Sequence, residues 1–238
     1  MTNTPTTLSR PLASRVDALP DVVDITATPT IPQAVIDLAI KALDEGKTHY
    51  TDRPGILPLR QWVCDHLNTR FDVAITPDQV TITCGRAEAR FVTVKLLAET
   101  GTQIYCPGDS SAITGTAHLA SATIVDTVDD PAKISLAYLT PNDPDTTREE
   151  VAKFTEQHDW WLAWDVVQNE QNFHPAQDTK ISARVITIGA LPAQMDGWRI
   201  GWMAGSAMAT KLRAYKQSMT ICSTSVSQWA SLGLVETL

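Results

Sequence analysis

The stretch RVITIGALPAQMDGWRIGW, residues 184–202, decides how the rest of the chain is interpreted. It begins with apolar, β-branched residues that predict a buried strand. Pro192 and the following GWR sequence, which ends at Arg199, predict a loop. A second apolar run predicts another strand directly after it. We therefore expect a strand, a loop and a strand, with Arg199 at the start of the second strand.

Outward from this stretch, short β-rich runs alternate with helical patterns from Pro77 onward. The runs are VTITC (80–84), QIYC (103–106), ATIVDTV (122–128), ISLAYLT (134–140), WWLAWDVV (160–167), RVITIGA (184–190) and IGWMAG (200–205). Helical patterns separate most of them, and one of these patterns opens with Thr147 and Glu150 at the spacing of a capping box. The alternation predicts a three-layer α/β fold around a mostly parallel seven-stranded sheet. Ligands of such sheets bind at the carboxyl ends of the strands.

The N-terminal part has a different character. Residues 1–32 are rich in Thr, Pro and Ser and predict an extended arm. After Pro32, apolar residues recur at helical spacing, and Gly46 stands where a helix C-cap is expected. We therefore divide the chain into an arm with a helix, residues 1–45, and a large domain, residues 46–238.

Composition excludes several classes of partner. The 238 residues carry a formal charge of −8 and no Lys/Arg-rich run, which argues against binding to nucleic acid or an anionic membrane. No apolar run reaches the ~20 residues that span a bilayer, and the first residues lack the apolar centre of a secretory signal. The four cysteines are widely spaced, as in a reduced protein. We expect a cytoplasmic protein.

Five segments resemble the fold-type I pyridoxal-phosphate-dependent aminotransferases, the class I/II group that includes aspartate aminotransferase, and three of them concern the cofactor phosphate. GWRIGW (197–202) is similar to the loop whose arginine, here Arg199, clamps the cofactor phosphate. LDEGKTHYTDRPGILPLR (43–60) resembles the segment whose tyrosine, here Tyr50, reaches across a dimer interface to the partner's phosphate. VTITCGRAEA (80–89) resembles the phosphate-binding turn.

In that turn, the resemblance assigns Gly85, Arg86 and Ala87 to the phosphate. The physical reason is that the first N–H groups of a helix are free and lie at its positive end. The alternative interpretation is an ordinary strand-to-helix turn, since a single glycine before a helix is common.

Two carboxylates stand where the family contacts the cofactor ring. AYLTPNDPDT (137–146) resembles a turn that offers an asparagine to the phenolic oxygen, but Asp143 occupies that place and, when ionised, only accepts hydrogen bonds. WWLAWDVV resembles the strand whose aspartate, here Asp165, pairs with the protonated pyridine nitrogen. Alternatively, Asp165 is a strand-end carboxylate that caps the next turn.

The same resemblance places the Schiff-base lysine six residues before Gly197, where this chain has Leu191. Leucine neither forms a Schiff base nor moves a proton. We do not expect Lys180, Lys211 or Lys216 to take over that role. The resemblance also implies a C-terminal small domain that these residues do not include.

The first functional hypothesis is an aminotransferase-like pseudoenzyme, a dimer of transferase fold with a partly retained pyridoxal 5'-phosphate site. It would bind an amino acid or a phosphorylated small molecule and be impaired or inactive in transamination. The alternative is a non-catalytic partner subunit, or a ligand-sensing protein, in a homodimer or heterodimer. A third interpretation, lysine-independent chemistry on a pyridoxamine-type cofactor, would use His174 or Asp143 as the base. For Arg199, an ion pair with Asp165 or Asp196 across an empty cleft also stays open.

Overall fold

A sheet of seven strands forms the centre of the fold. The computed structural model describes residues 30–140, 142–166, 173–205 and 207–235. The predicted N-terminal arm lies outside these residues except for its last three. The strands are β1 (Val80–Cys84), β2 (Gln103–Tyr105), β3 (Thr123–Val125), β4 (Ile134–Leu139), β5 (Trp161–Asp165), β6 (Val185–Ala190) and β7 (Ile200–Ala204). The α-helices are α1 (Gln33–Asp44), α2 (Leu57–Phe71), α3 (Gly85–Leu97), α4 (Ser111–Leu119), α5 (Asp145–His158), α6 (Ala209–Thr220) and α7 (Ser225–Val235).

The strand order is β1-β7-β6-β5-β4-β2-β3. β7 runs antiparallel to both of its neighbours, and the other pairs are parallel. The predicted three-layer α/β fold with a mostly parallel seven-stranded sheet is therefore confirmed. The carboxyl ends of β1, β4, β5 and β6 share one edge of the sheet with the first residue of β7, because β7 alone is reversed. That edge holds most of the candidate site residues.

Each face of the sheet carries its own apolar layer, since successive strand residues point to opposite faces. Trp164 of β5 belongs to one of these layers, together with Val63 of α2 and Leu234 of α7. Ala163 of β5 belongs to the other layer, together with Ala89 of α3. Helices thus cover both faces, which is why the strands read as nearly continuous apolar runs.

Two helix ends test the sequence interpretation. α1 ends at Asp44, and Gly46 follows with φ 69°, so its predicted role in ending the helix is confirmed. The capping box of Thr147 and Glu150 was wrong, because α5 already begins at Asp145. Pro144 precedes it with φ −60°, and its fixed backbone allows the helix to start at the next residue.

One compact unit of the chain begins at Ile31. Within it α1 packs along α7, and Val35 of α1 is fully buried. The division of the chain at residue 45 stays a prediction. Among the described residues, no helix has both the length and the apolar character that crossing a membrane requires.

Candidate functional site

The turn from β1 to α3 is built around close backbone approaches. Gly85 has φ 78°, in the region that favours glycine. A Cβ atom on Gly85 would lie 2.7 Å from Nη2 of Arg199, so the guanidinium occupies the space that a side chain would need. Nη2 donates to the carbonyl of Cys84 at 3.3 Å. On the β7 side, a Cβ atom on Gly201 would lie 2.6 Å from the backbone nitrogen of Arg86.

This arrangement suits an anion. The N–H groups of Arg86 and Ala87 belong to the first turn of α3, where no helical carbonyl is available to them, and the helix dipole adds positive potential. Ala87 and Arg199 are both exposed, so a ligand can reach them. Within the described parts of the chain, no carboxylate pairs with Arg199. We name Gly85, Arg86, Ala87 and Arg199 the anion cradle.

A second group, the Asp165 cluster, consists of Asp165, Arg86, Arg90 and Tyr138. Asp165 is 1% exposed at the end of β5. Its Oδ2 accepts hydrogen bonds from Nε of Arg90 at 2.5 Å and from the hydroxyl of Tyr138 at 2.9 Å. Nη2 of Arg90 also lies 2.5 Å from Oδ2, and Nε of Arg86 lies 3.6 Å from Oδ1. Arg86 therefore belongs to both groups and joins them.

The cluster carries one negative and two positive charges. Burial, with the negative charge of Asp165 beside it, holds the pKa of Tyr138 well above its usual value, so the phenol stays neutral. Neither Oδ1 of Asp165 nor Nε of Arg86 makes a hydrogen bond to any described residue. The ion pair that the sequence left open for Arg199 is thus made by Arg90 and Arg86 instead.

Arg90 was missed by the sequence interpretation. Its partner Asp165 lies 75 positions further along the chain, so no local motif connects them. One signal was present: Arg86 and Arg90 are four residues apart at the start of a predicted helix and therefore share a face.

Leu191 follows β6 at the same edge of the sheet. It is 3% exposed and belongs to the apolar layer, together with Met195 and Ile200. Its backbone N–H donates to the carbonyl of Ile200 at 3.3 Å. The Leu191 side chain is thus a packing group.

Of the three lysines considered as replacements, Lys216 is connected to the turn from β1 to α3 through Glu88. Its side chain is fully buried, with Nζ 3.8 Å from Oε2 of Glu88 and donating to Oγ1 of Thr220 at 3.1 Å. Glu88 in turn accepts from the N–H of Cys84 at 2.6 Å and from the hydroxyl of Thr220 at 2.6 Å. Lys216 is therefore held in a network behind the turn. Lys180 is paired with Glu156 at an exposed site.

Two predicted site residues lie apart from these groups. Tyr50 is 69% exposed and lines a separate cavity of about 440 Å³ with Trp229. Asp143 is 5% exposed, and its Oδ2 accepts from the backbone N–H of Thr140 at 2.5 Å and from its hydroxyl at 3.0 Å. Asp143 therefore caps its own turn, and the structure does not bring it into the Asp165 cluster.

His174 also lies apart, on the other face of the sheet. It is fully buried against Trp164, with ring centroids 4.3 Å apart. Its Nδ1 accepts from the N–H of Ala176, which leaves Nε2–H to donate to Thr187 Oγ1 at 3.0 Å. Burial lowers its pKa to about 3. With both nitrogens engaged and no exposed surface, this imidazole is poorly placed to act as a base.

Pyridoxal phosphate fits this site only in part. The anion cradle offers a phosphate both N–H groups and a guanidinium. A protonated ring nitrogen would need a free carboxylate, whereas Asp165 is already surrounded by Arg90, Tyr138 and Arg86. Leu191, which the resemblance places at the Schiff-base position, is a buried apolar side chain and offers no amine to the cofactor aldehyde. The residues fit the phosphate, and they do not fit the cationic ring or a covalent link.

The proteins compared with this chain below are all aminotransferases. No protein-family model matches the chain. A probable aspartate aminotransferase of Methanocaldococcus jannaschii is 34% identical over 79 residues, 33% of this chain and 21% of that protein. The arginine–pyruvate transaminase AruH of Pseudomonas aeruginosa is 25% identical over 222 residues, 80% of this chain and 56% of that protein. A tetra mutant of Thermus thermophilus aspartate aminotransferase superposes with a TM-score of 0.78 at 24% identity, over 98% of this chain and 72% of that one.

The matched part spans little more than half the length of AruH and a fifth of the Methanocaldococcus protein. The structural likeness, at this identity, establishes the fold.

Proposed function

We propose that this chain, a relative of the fold-type I aminotransferases, holds a phosphorylated small molecule in its anion cradle and is impaired or inactive in transamination. Buried Leu191 is the observation that carries the proposal. Transamination requires an amine that bonds to the cofactor and then transfers a proton. A leucine side chain packed among Met195 and Ile200 supplies neither function.

The expected loss of activity is large. Removal of a sole covalent group typically lowers a rate by several orders of magnitude. Lys216 is a poor substitute, since its ammonium is buried and held by Glu88 and Thr220. Asp165 is a poor ring partner for the reason given above, that its carboxylate already pairs with Arg90 and lies beside Arg86.

Binding can survive where chemistry does not. Pyridoxal 5'-phosphate is the first ligand to consider, held reversibly through its phosphate by Arg199 and the start of α3. The carboxylate of an amino acid would use the same donors. Charge-assisted hydrogen bonds of this kind contribute about 1.5–3 kcal/mol each, so one arginine decides a large part of the affinity.

Isothermal titration calorimetry with pyridoxal phosphate and with inorganic phosphate tests the proposal. We expect saturable binding of pyridoxal phosphate, competition by inorganic phosphate, and at least about tenfold weaker binding in Arg199→Ala, since tenfold corresponds to 1.4 kcal/mol.

The matched control is Arg184→Ala. Arg184 lies just before β6, at the opposite edge of the sheet, where it pairs with Asp159 and the carbonyl of Thr155. Its removal should leave the affinity unchanged. Absence of binding by the unaltered chain, or equal weakening by both variants, would contradict the proposal.

A partner subunit is the second candidate function. Tyr50 is 69% exposed and contacts His49 rather than the cradle of its own chain. Exposed apolar side chains lie on α1 and at the start of α2; they are Ile36, Ile40, Leu43 and Leu57. These observations support a dimer, with this chain or with another one, in which Tyr50 reaches the partner's site. Sedimentation equilibrium measures the oligomeric state, and a monomer at micromolar concentration would count against this candidate.

A cytoplasmic location is likewise proposed, from the composition.

A further inference from the structure

We propose that the Asp165 cluster selects against a positively charged ring, so that the site takes phosphate esters whose ring is neutral. The inference rests on the proposed function and specifies the class of ligand. It reverses the role that the resemblance implies for Asp165, which is to attract a protonated pyridine nitrogen.

The anion cradle and the Asp165 cluster are neighbouring parts of one site. Arg86 offers its backbone N–H to the cradle, while its side chain extends to within 3.6 Å of Asp165 Oδ1. A ligand whose phosphate is held at the start of α3 therefore has the Arg86 guanidinium and then Asp165 as its next polar neighbours.

The charges at that point favour a neutral ring. Nε and Nη2 of Arg90 both lie 2.5 Å from Oδ2 of Asp165, so this carboxylate oxygen is already paired with a guanidinium. Tyr138 adds a neutral donor to the same oxygen at 2.9 Å. The second guanidinium, that of Arg86, leaves the cluster with one positive charge in excess. At separations of a few ångströms and in partly buried surroundings, such an excess repels a cation and attracts an acceptor.

The unsatisfied atoms indicate the same preference. Nε of Arg86 is buried, donates to no described residue, and lies too far from Oδ1 for a hydrogen bond. A neutral acceptor on the ligand, such as an unprotonated ring nitrogen or a hydroxyl, would satisfy this donor. A protonated nitrogen would compete with Arg86 and Arg90 for Asp165 and leave a guanidinium unpaired, which is costly when buried.

Two ligands of the same shape test the inference in the unaltered protein. The first is 3-deoxypyridoxine phosphate methylated on its ring nitrogen, which carries a fixed positive charge and has no ring hydroxyl that could ionise. The second is its benzene isostere, with a methyl-bearing carbon in place of that nitrogen. They differ by one charge, and neither has an aldehyde. By calorimetry we expect the neutral isostere to bind at least about tenfold more tightly.

The variant Arg86→Met removes one cation and keeps the Arg90–Asp165 pair, so the fold is expected to persist. In this variant the ratio of the two affinities should fall towards one. Equal or tighter binding of the cationic ligand by the unaltered protein would overturn the inference while leaving the proposed function intact. If neither ligand binds and inorganic phosphate does not bind either, the proposed function fails, and this inference fails with it.

Discussion

Replacement of Asp165 by alanine is expected to lower the free energy of unfolding by about 3 kcal/mol. Asp165 is 1% exposed, and the side chains of Arg86 and Arg90 around it are each 22% exposed. Removing one partner of a buried ion pair costs about 3–5 kcal/mol, because the remaining charge has lost its compensation. The partial exposure of the two arginines places the expectation at the lower end of that range.

Urea unfolding of the variant and the unaltered chain measures the difference. Asp159→Ala is the matched control, since Asp159 is 81% exposed and pairs with Arg184 at the surface. Such a pair contributes at most about 1 kcal/mol. Combining Arg86→Met, Arg90→Met and Asp165→Leu removes all three charges and should restore most of the lost stability. Equal effects of Asp165→Ala and Asp159→Ala would show that the cluster is not the buried network described.

The second large effect is a loss of stability in acid caused by His174. Its pKa is lowered to about 3 in the folded protein by burial, whereas an unfolded histidine titrates near 6.5. Between these two values the unfolded state binds one more proton than the folded state, so stability falls as the pH is lowered through this window. The contribution reaches about 5 kcal/mol once the pH is below the folded pKa, at roughly 1.4 kcal/mol for each unit of pKa difference.

The measurement compares unfolding free energies between pH 7 and pH 4 in the unaltered chain and in His174→Gln. The variant should be less stable at neutral pH, because the packing against Trp164 is altered, but its stability should decline less steeply with acid. His118→Gln, at the exposed end of α4, should retain the steep decline. Identical slopes in the unaltered chain and His174→Gln would mean that the imidazole titrates normally.

Much of the fold could be predicted from the sequence. The strands are local features, recognisable from apolar runs such as VTITC and RVITIGA, and the order of strands and helices limits the sheet to few arrangements. Gly85 and Arg199 were both assigned to the phosphate by the resemblance alone. The structure brings them to one edge of the sheet because β7 runs antiparallel to its neighbours, which the sequence did not predict.

The Asp165 cluster could not be predicted in the same way. Asp165 was expected to have a partner, but the choice of Arg90 over Arg199 depends on where α3 packs on the sheet, which local sequence does not determine. His174 was considered as a candidate base, whereas the structure buries its ring against Trp164 and Phe71. The hydrogen bonds of Asp143 could have been predicted, because its partner Thr140 lies only three residues away and such side-chain turns are local features of a sequence.

Borohydride reduction of the protein saturated with pyridoxal phosphate, followed by mass spectrometry of its peptides, tests most directly whether the chain lacks covalent cofactor chemistry. In a parallel sample that is not reduced, we expect dialysis to remove the ligand. In the reduced sample we expect no lysine to be labelled stoichiometrically, with any trace labelling of surface lysines unchanged in Arg199→Ala. Stoichiometric labelling of one lysine, Lys216 above all, that disappears in Arg199→Ala would contradict the account and identify the chain as a covalent pyridoxal phosphate protein.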